Sequence, residues 1–521
     1  MSKPHFYITT AISYVNGPPH IGHAYEAIAA DVMARFKKLD GYEVYFLTGT
    51  DEHGQKVQKT AVAKGKEPQE FCDEIASLFI DMCESFNISQ DQFIRTTAQF
   101  HKESCQHIWG KMQETGDIYL NKYAGWYSER DEAFYGEDEI ETRDDGKKYA
   151  VSTGTEVHWM EEESYFFKLS AYTDKLLEYY DAHPEFIQPG FRRNEVVSFV
   201  KQGLRDLSIS RTSFDWGVKV PNSKDHIMYV WVDALTNYIS ALGYPEDETG
   251  NFRKFWPADV HLIGKDIMRF HAVYWPAFLM SAGLPIPKRI FGHGFLLTRG
   301  EKMSKSLGNV IAPADLIERF GVDQTRYALM REVTFGQDGD ISYELLGNRI
   351  NAELANNIGN LAQRTLSQIA KNCGGRVPNP GVLEDEDHRL LDLAGQTMLI
   401  AVRNEFEKMS FSRAIEEIIH VANAANLYID TQAPWTLKKT NPARMQAVLY
   451  VLAEVIRNLG LILQPFTPVA ASKILDQVAV SDTARDFTFI GSQHALAPDT
   501  ALPAPAGVFP RYVEEPQEKT A

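Results

Sequence analysis

The stretch His5-Phe-Tyr-Ile-Thr-Thr10, followed by Asn16-Gly-Pro-Pro-His-Ile-Gly-His23, decides the fold. Phe6 to Thr10 is rich in β-forming residues and reads as a strand. Asn16-Gly17-Pro18-Pro19 is a loop, and from His20 to Leu39 apolar residues recur at helical spacing (Ile21, Ile28, Val32, Phe36). Asp40-Gly41 stops that helix, and Val44 to Thr48 forms a second buried strand. Strand, helix and strand, with the helix starting at a loop fit for a ligand, predict a doubly wound nucleotide fold. Backbone N–H groups at such a helix start favour anions. His20 and His23, one turn apart, would both face the nucleotide, and Gly22 between them lets an adenine or ribose approach the backbone. Taken alone, the same four residues are equally a capped helix with two surface histidines.

Further along, the helical pattern runs from Pro68 to about Thr115. From Gly116 to Val220 glycines, acidic turns and short aromatic strands (Tyr123–Tyr127, Val157–Met160, Tyr165–Phe167) replace it, as in a small mixed insertion. Met228-Tyr-Val-Trp-Val232, His261-Leu-Ile-Gly264 and Arg289-Ile-Phe-Gly292 read as strands that resume the first fold. From Tyr343 to Pro468 the chain is helical, with apolar stripes at Ile350, Leu354, Ile358, Leu361 and Ile369 and at Val448, Val451, Val455 and Leu459. The expectation is an α/β doubly wound Rossmann-type catalytic domain with a small mixed α/β insertion, followed by an all-α bundle. The expected boundaries are 1–115 and 228–300 for the two catalytic halves, 116–227 for the insertion, 301–342 for a linker, 343–470 for the bundle and 471–521 for an extension with a disordered end.

With 521 residues, 44% apolar and 12% aromatic, the chain is long enough for several domains with cores of their own. No apolar run approaches the roughly 20 residues that cross a bilayer, and the N-terminus lacks a cleavable-signal pattern. No membrane partner and a cytoplasmic location are expected. Cys72, Cys83, Cys105 and Cys373 form no CxxC pair, so they read as core residues rather than metal ligands or disulfides. A net charge of −17 excludes a uniformly basic surface, and any nucleic acid should touch only a limited strip.

Lys302-Met-Ser-Lys-Ser306 sets two lysines three apart among serine hydroxyls. By itself it is as readily a solvated loop. Together and in this order, HIGH at residues 20–23 and KMSKS at 302–306 resemble the paired signatures of the class I aminoacyl-tRNA synthetases. Thr10 to His23, Gly49-Thr-Asp-Glu-His-Gly54, Phe191-Arg-Arg-Asn194, Ser208-Ile-Ser-Arg211, Tyr229-Val-Trp-Val-Asp-Ala-Leu235, His261 to Ile267, Phe270-His271 and Phe335-Gly-Gln-Asp-Gly-Asp340 narrow the resemblance to the methionyl-tRNA synthetases, over residues 5 to 470.

The resemblance implies ATP-dependent ligation of L-methionine to its tRNA through a methionyl-adenylate, releasing AMP and pyrophosphate. Attack of a carboxylate on the α-phosphate builds charge on phosphate oxygens, which catalysis must position and stabilise. By resemblance His20, His23, Lys302 and Lys305 are catalytic, and Gly22, Lys265, Asp266, Gly292, His293, Gly294 and Ser304 join them around Mg-ATP. Asp51 would bind the α-ammonium of methionine, with Arg211 orienting that carboxylate. Ile12, Tyr14, Trp231, Ala234, Leu235, Tyr238, Ile267 and His271 would line the side-chain pocket. Aromatic walls reward a polarisable thioether, and Tyr14 and His271 can offer weak donors to sulfur.

Asn360 and Arg364, four apart on one helix, and Trp435 resemble the family's anticodon readers, a stacking ring with two edge-reading groups. The insertion departs from many relatives by lacking CxxC pairs. Ser128 and Asp131 stand where one is expected, so no structural zinc and no other bound metal is predicted. L-methionine, the acceptor end and anticodon of tRNA(Met), and a monomeric state complete the expectation. The rivals are another class I synthetase, for which the insertion is short of an editing domain, and a non-catalytic tRNA-binding scaffold.

Overall fold

The computed structural model describes residues 3–131, 133–303 and 310–514. Its centre is a parallel sheet. The strands that matter are β1 (His5–Thr10), which leads through a loop into helix α1 (Ile21–Leu39), then β2 (Glu43–Asp51) and β3 (Gln92–Arg95). After helix α2 (Gln99–Glu114) come the long strands β4 (Ile118–Ser128) and β5 (Glu156–Phe167), then β6 (Ile187–Gln188), helix α3 (Val230–Ser240), β7 (Val260–Gly264) and β8 (Ile290–His293). In space the sheet runs β3-β2-β1-β7-β8-β6, every pair parallel. The order reverses between β1 and β7, the switch point outside whose carboxyl ends a doubly wound fold binds its ligand. The doubly wound expectation holds.

Three local expectations do not. The helical pattern of residues 68–115 is broken by β3, whose Gln92-Phe-Ile-Arg95 adds the outer strand beside β2. Of the apolar run at Met228–Val232, only Met228 is in a strand, a two-residue one with Ile227, and from Val230 on the run is the start of α3. Short apolar runs do not distinguish a buried strand from a buried helix, and here Val232, Ala234, Leu235, Tyr238 and Ile239 are all buried. The chain also re-enters the parallel sheet at β6, well inside the residues expected to form the insertion. The insertion itself is built on the antiparallel pair β4–β5, in register from Ile118↔Phe167 to Tyr127↔His158.

Past β8, a hairpin of β9 (Leu296–Thr298) and β10 (Glu301–Lys302) is joined in parallel by β11 (Gly339–Asp340). The rest is helical, and three helices organise it: α4 (Asn360–Asn372), α5 (Phe411–Gln432) and α6 (Pro442–Leu463). Both predicted apolar stripes are buried. Contrary to the sequence expectation, α6 is long and apolar enough to cross a bilayer, but 94% of its apolar window is buried inside the bundle. Beyond residue 470 the chain is less irregular than expected: a helix over Pro468–Gln477 is followed by a strap in which Phe509 is buried and Tyr512 exchanges two backbone–side-chain hydrogen bonds with Asn351, both 2.8 Å. The expected disordered end falls at 515–521, outside the described residues.

One apolar core runs from α1 into the bundle. Phe36 on α1 stacks on Phe406 at 3.7 Å, and Phe406 meets Phe411 and Phe466. A second core fills the other face of the sheet, under α2 and α3.

Candidate active site

A cavity of about 720 Å³ opens at the carboxyl ends of β1 and β7, at the switch point. It is lined by most of the predicted residues: His20, Gly22 and His23 from the start of α1, Asp51 from the end of β2, Trp231, Ala234, Leu235 and Tyr238 from α3, Asp266, Ile267 and His271 after β7, His293 and Gly294 after β8, and Ile12 and Tyr14 between β1 and α1. Tyr14 pairs in register with Asp51, and the Val15 N–H donates to the Asp51 carbonyl at 3.1 Å, which brings the aromatic and the carboxylate to one wall.

His20 caps α1. Its Nδ1 accepts from the Gly22 N–H at 3.1 Å, while His23 Nδ1 accepts from the His20 N–H at 3.1 Å. The rings stack at 3.7 Å. A nitrogen that accepts carries no proton, so each neutral ring holds its proton on Nε2. Burial, and after it the repulsion a second proton would meet from the neighbouring His20 imidazole, pushes the His23 pKa down to about 3. Two neutral N–H donors at a helix start suit a phosphate without presenting a fixed charge pair to be neutralised.

On the opposite wall, His293 Nε2 lies 2.8 Å from Glu26 Oε2 and its Nδ1 2.8 Å from the Gly294 carbonyl. Both neighbours only accept, so both nitrogens donate and the ring is an imidazolium. Burial opposes that charge, but the hydrogen bond and charge of Glu26 win and raise its pKa above the usual value. The other Glu26 oxygen accepts the Ala11 N–H at 2.8 Å. Glu26 was not foreseen. Its position three residues after His23, on the same helix face, was the available signal.

In the amino-acid half, Tyr238 Oη lies 2.7 Å from His271 Nε2, and His271 Nδ1 lies 3.0 Å from the Ile267 carbonyl. The carbonyl fixes the proton on Nδ1, so Nε2 accepts from Tyr238. Burial holds the ring neutral, with a pKa lowered to about 4. His271 therefore has no N–H left for a thioether, contrary to the sequence expectation. Trp231 stacks on Phe270 at 3.7 Å and stands edge-on to His271 at 5.9 Å, forming an aromatic wall.

Three predicted residues do not line the cavity. Arg211 is buried, donates to Ser208 Oγ at 2.9 Å and to the Ser210 carbonyl at 2.7 Å, and lies over the Tyr229 and Phe134 rings. Lys265 pairs with Asp338 at 2.6 Å and lies over Phe295. Gly292 makes room for Met268, whose Cε would sit 2.2 Å from an added Cβ. Gly294 does line the cavity, but its missing side chain is required by the Gln337 backbone, 2.2 Å from an added Cβ, and not by an adenine. Ser304 and Lys305 lie outside the described residues, as does the Lys302 side chain.

At the insertion, Asp131 accepts from Tyr135 Oη at 2.8 Å and from the hydroxyls of Thr153 and Thr155, while Ser128 Oγ donates to Thr155 at 3.0 Å. A carboxylate and four hydroxyls thus tie this turn together. Far from the cavity, Asn360 is exposed, Arg364 pairs with Asp430 at 2.7 Å, and its guanidinium lies 5.7 Å from the ring of Trp435, which is 44% exposed.

The family model for tRNA synthetases class I (M) matches residues 6–366, and that for the anticodon binding domain of methionyl tRNA ligase matches residues 377–521. The chain is 60% identical over 508 residues to a methionine--tRNA ligase of Rhizobium meliloti (strain 1021), covering 98% of each chain. It is similar to Mycobacterium tuberculosis methionyl-tRNA synthetase in complex with methionyl-adenylate, with a TM-score of 0.95 and 54% identity over 98% of this chain and 100% of that one. Against the apo form of that enzyme the TM-score is 0.89. A Rossmann cavity armed with HIGH, an aromatic amino-acid pocket, a helical bundle and full-length likeness to these ligases have one explanation: the chain belongs to the methionyl-tRNA synthetases of class I.

Proposed function

We infer that the chain activates L-methionine with ATP to methionyl-adenylate and then transfers the methionyl group to a ribose hydroxyl at the acceptor end of tRNA. The observation that carries this is the single cavity in which the HIGH residues and the Trp231–His271 pocket meet across Asp51. Asp51 receives the ammonium. Trp231, Ala234, Leu235, Tyr238, Ile267 and His271 enclose the thioether by shape and polarisability, with His271 sorting the polar groups rather than donating to sulfur. His20 and His23 donate through Nε2 to phosphate, and Lys302 and Lys305 close on it as charge builds in the transition state. Mg2+ enters with ATP as part of the substrate. Asn360, Arg364 and Trp435 read the anticodon.

The enzyme works without structural zinc, since the hydroxyl–carboxylate cluster around Asp131 holds the insertion turn with groups that bond to one another. Four free thiols suit the reducing cytoplasm, and the enzyme acts as a monomer. Divisions at 115, 227, 300, 342 and 470 are the functional parcelling we propose for the chain, with β6, inside the second segment, paired into the catalytic sheet.

Pyrophosphate exchange into ATP with a panel of amino acids tests the reading. Exchange with methionine is expected; exchange only with leucine would sink it, and none at all would favour the scaffold. Lys305→Ala should lower turnover far more than methionine affinity. Equal losses would remove Lys305 from the transition state. Metal analysis of the purified protein should return no stoichiometric zinc.

A further inference from the structure

The two residues that follow Asp51 are each tied to a different part of the molecule. The Glu52 carboxylate accepts from Arg95 at 2.6 and 3.0 Å and from Thr50 Oγ1 at 2.7 Å, and its carbonyl accepts from Trp216 Nε1 at 2.6 Å. These bonds hold Asp51 against the sheet. The next residue reaches the other way: His53 Nδ1 lies 2.7 Å from Oδ2 of Asp233 on α3.

Asp233 is 1% exposed and stands between Trp231 and Ala234, both on the pocket wall, while its own side chain does not reach the cavity. Its second oxygen lies 2.8 Å from His101 Nε2 on α2, and His101 Nδ1 lies 2.8 Å from Ser240 Oγ at the far end of α3. Burial alone would raise the Asp233 pKa, but the two imidazoles hold it well below the usual carboxylate range, so the group stays an anion that accepts from both. Cys105 is close enough to join His101 and Asp233 around a metal ion. Against that, His101 and Asp233 are already hydrogen-bonded to each other, and burial raises the Cys105 thiol pKa, which disfavours a thiolate ligand.

We infer that Asp233 is a positioning residue for amino-acid selection: through His53 it fixes the spacing between Asp51 and the pocket on α3, and so the length of side chain accepted. The ammonium anchor and the thioether pocket lie on separate elements, β2 and α3, and the Asp233–His53 pair ties the chain just past Asp51 to the first turn of α3, whereas Tyr45 Oη, which donates to the Ala241 carbonyl at 3.2 Å, ties their opposite ends. Losing it costs register rather than a contact with substrate. A misplacement of about 1 Å away from the chemistry can cost on the order of 100-fold in rate. The inference rests on the assignment of Asp51 to the ammonium.

The test is steady-state pyrophosphate exchange on the full-length enzyme with Asp233→Asn, His53→Gln, His101→Gln and Asp51→Asn, using methionine and its S-ethyl homologue ethionine. Asp233→Asn and His53→Gln should raise the KM for methionine about tenfold while the KM for ATP stays within about twofold. They should also shrink the methionine-to-ethionine ratio of kcat/KM by about fivefold, out of the roughly 10- to 200-fold that one methylene carries. His101→Gln, which removes only the rear support, should lower the melting temperature and leave that ratio unchanged. If Asp233→Asn does not fold, His53→Gln carries the test alone.

An unchanged ratio in the folded variants, a parallel rise of both KM values, or a His101→Gln variant as permissive as His53→Gln would each overturn the positioning role. Asp51→Asn separates the two failures. If it leaves methionine KM unchanged, the ammonium assignment falls and the inference with it. If it raises that KM while Asp233→Asn does not, only the inference falls.

Discussion

His271 sits where a positive charge would be ruinous, between the Tyr238 hydroxyl and the Ile267 carbonyl. Its pKa falls from 6.5 in an unfolded chain to about 4 in the folded one. Between those values the unfolded state binds more protons, so stability is complete above about 6.5 and is lost as pH falls toward 4, by on the order of 3 kcal/mol for this group. Thermal melts of the wild type should show a fall between pH 7 and pH 5 that His271→Gln makes shallower; an equal slope would mean the ring is not held neutral. At the other end of the molecule, Trp435→Ala should cut tRNA charging at least about tenfold, as expected for loss of a base-stacking ring. It should leave pyrophosphate exchange intact, whereas joint loss would make Trp435 a packing residue. Residues such as Trp231 and His271 were legible because motifs carry them in short runs. The pairings of Glu26, His53 and Asp233 were not, although the last two sit in such runs, because the partners lie 267, 180 and 132 positions away.

The hairpin β9–β10 leads into KMSKS and is braced by one segment. The Asp338 carboxylate accepts the Phe295 N–H at 2.8 Å and pairs with Lys265, and Asp340 accepts the Gly300 N–H at 2.6 Å. Gly294→Ala would drive its Cβ into the Gln337 backbone and displace this base, so kcat should fall by roughly 100-fold. Gly292→Ala meets only the flexible end of Met268 and should cost less than about tenfold. Exchange kinetics of the pair decide this, and equal losses would count against the brace. The element types were mostly readable, since α1 and the bundle helices show their period plainly. The short run at the start of α3 was not, because burial on both sides erases periodicity.

At the scale of the whole molecule, catalytic sheet and bundle are one body. Arg326, wholly buried, donates to Asp31 on α1 at 2.6 Å, to the Phe86 carbonyl at 3.0 Å and to the Pro465 carbonyl at 2.9 Å just past α6. Arg403 and Asp40 pair across the same seam at 2.6 Å. Arg35 and Ser89 still hold Asp31 once the cation is removed, but the buried Phe86 and Pro465 carbonyls lose their donor, so Arg326→Met should lower stability by roughly 3 kcal/mol. Calorimetry should show one transition for the wild type and for the variant. Two separated peaks would mean that the seam is weaker than its contacts imply. The sequence marks where sheet gives way to bundle but not that they share a core, because periodicity shows that a face is apolar and never what covers it.

The strap that closes with Tyr512 against Asn351 bears on how the protein should respond to limited protease. Cuts in exposed loops of the insertion or the bundle would sever the chain without releasing a piece. The nicked protein should run as one particle on a native gel and separate into fragments only in denaturant. Independently expressed halves should fail to stay in solution, each bearing one bare side of the Phe36–Phe406 stack.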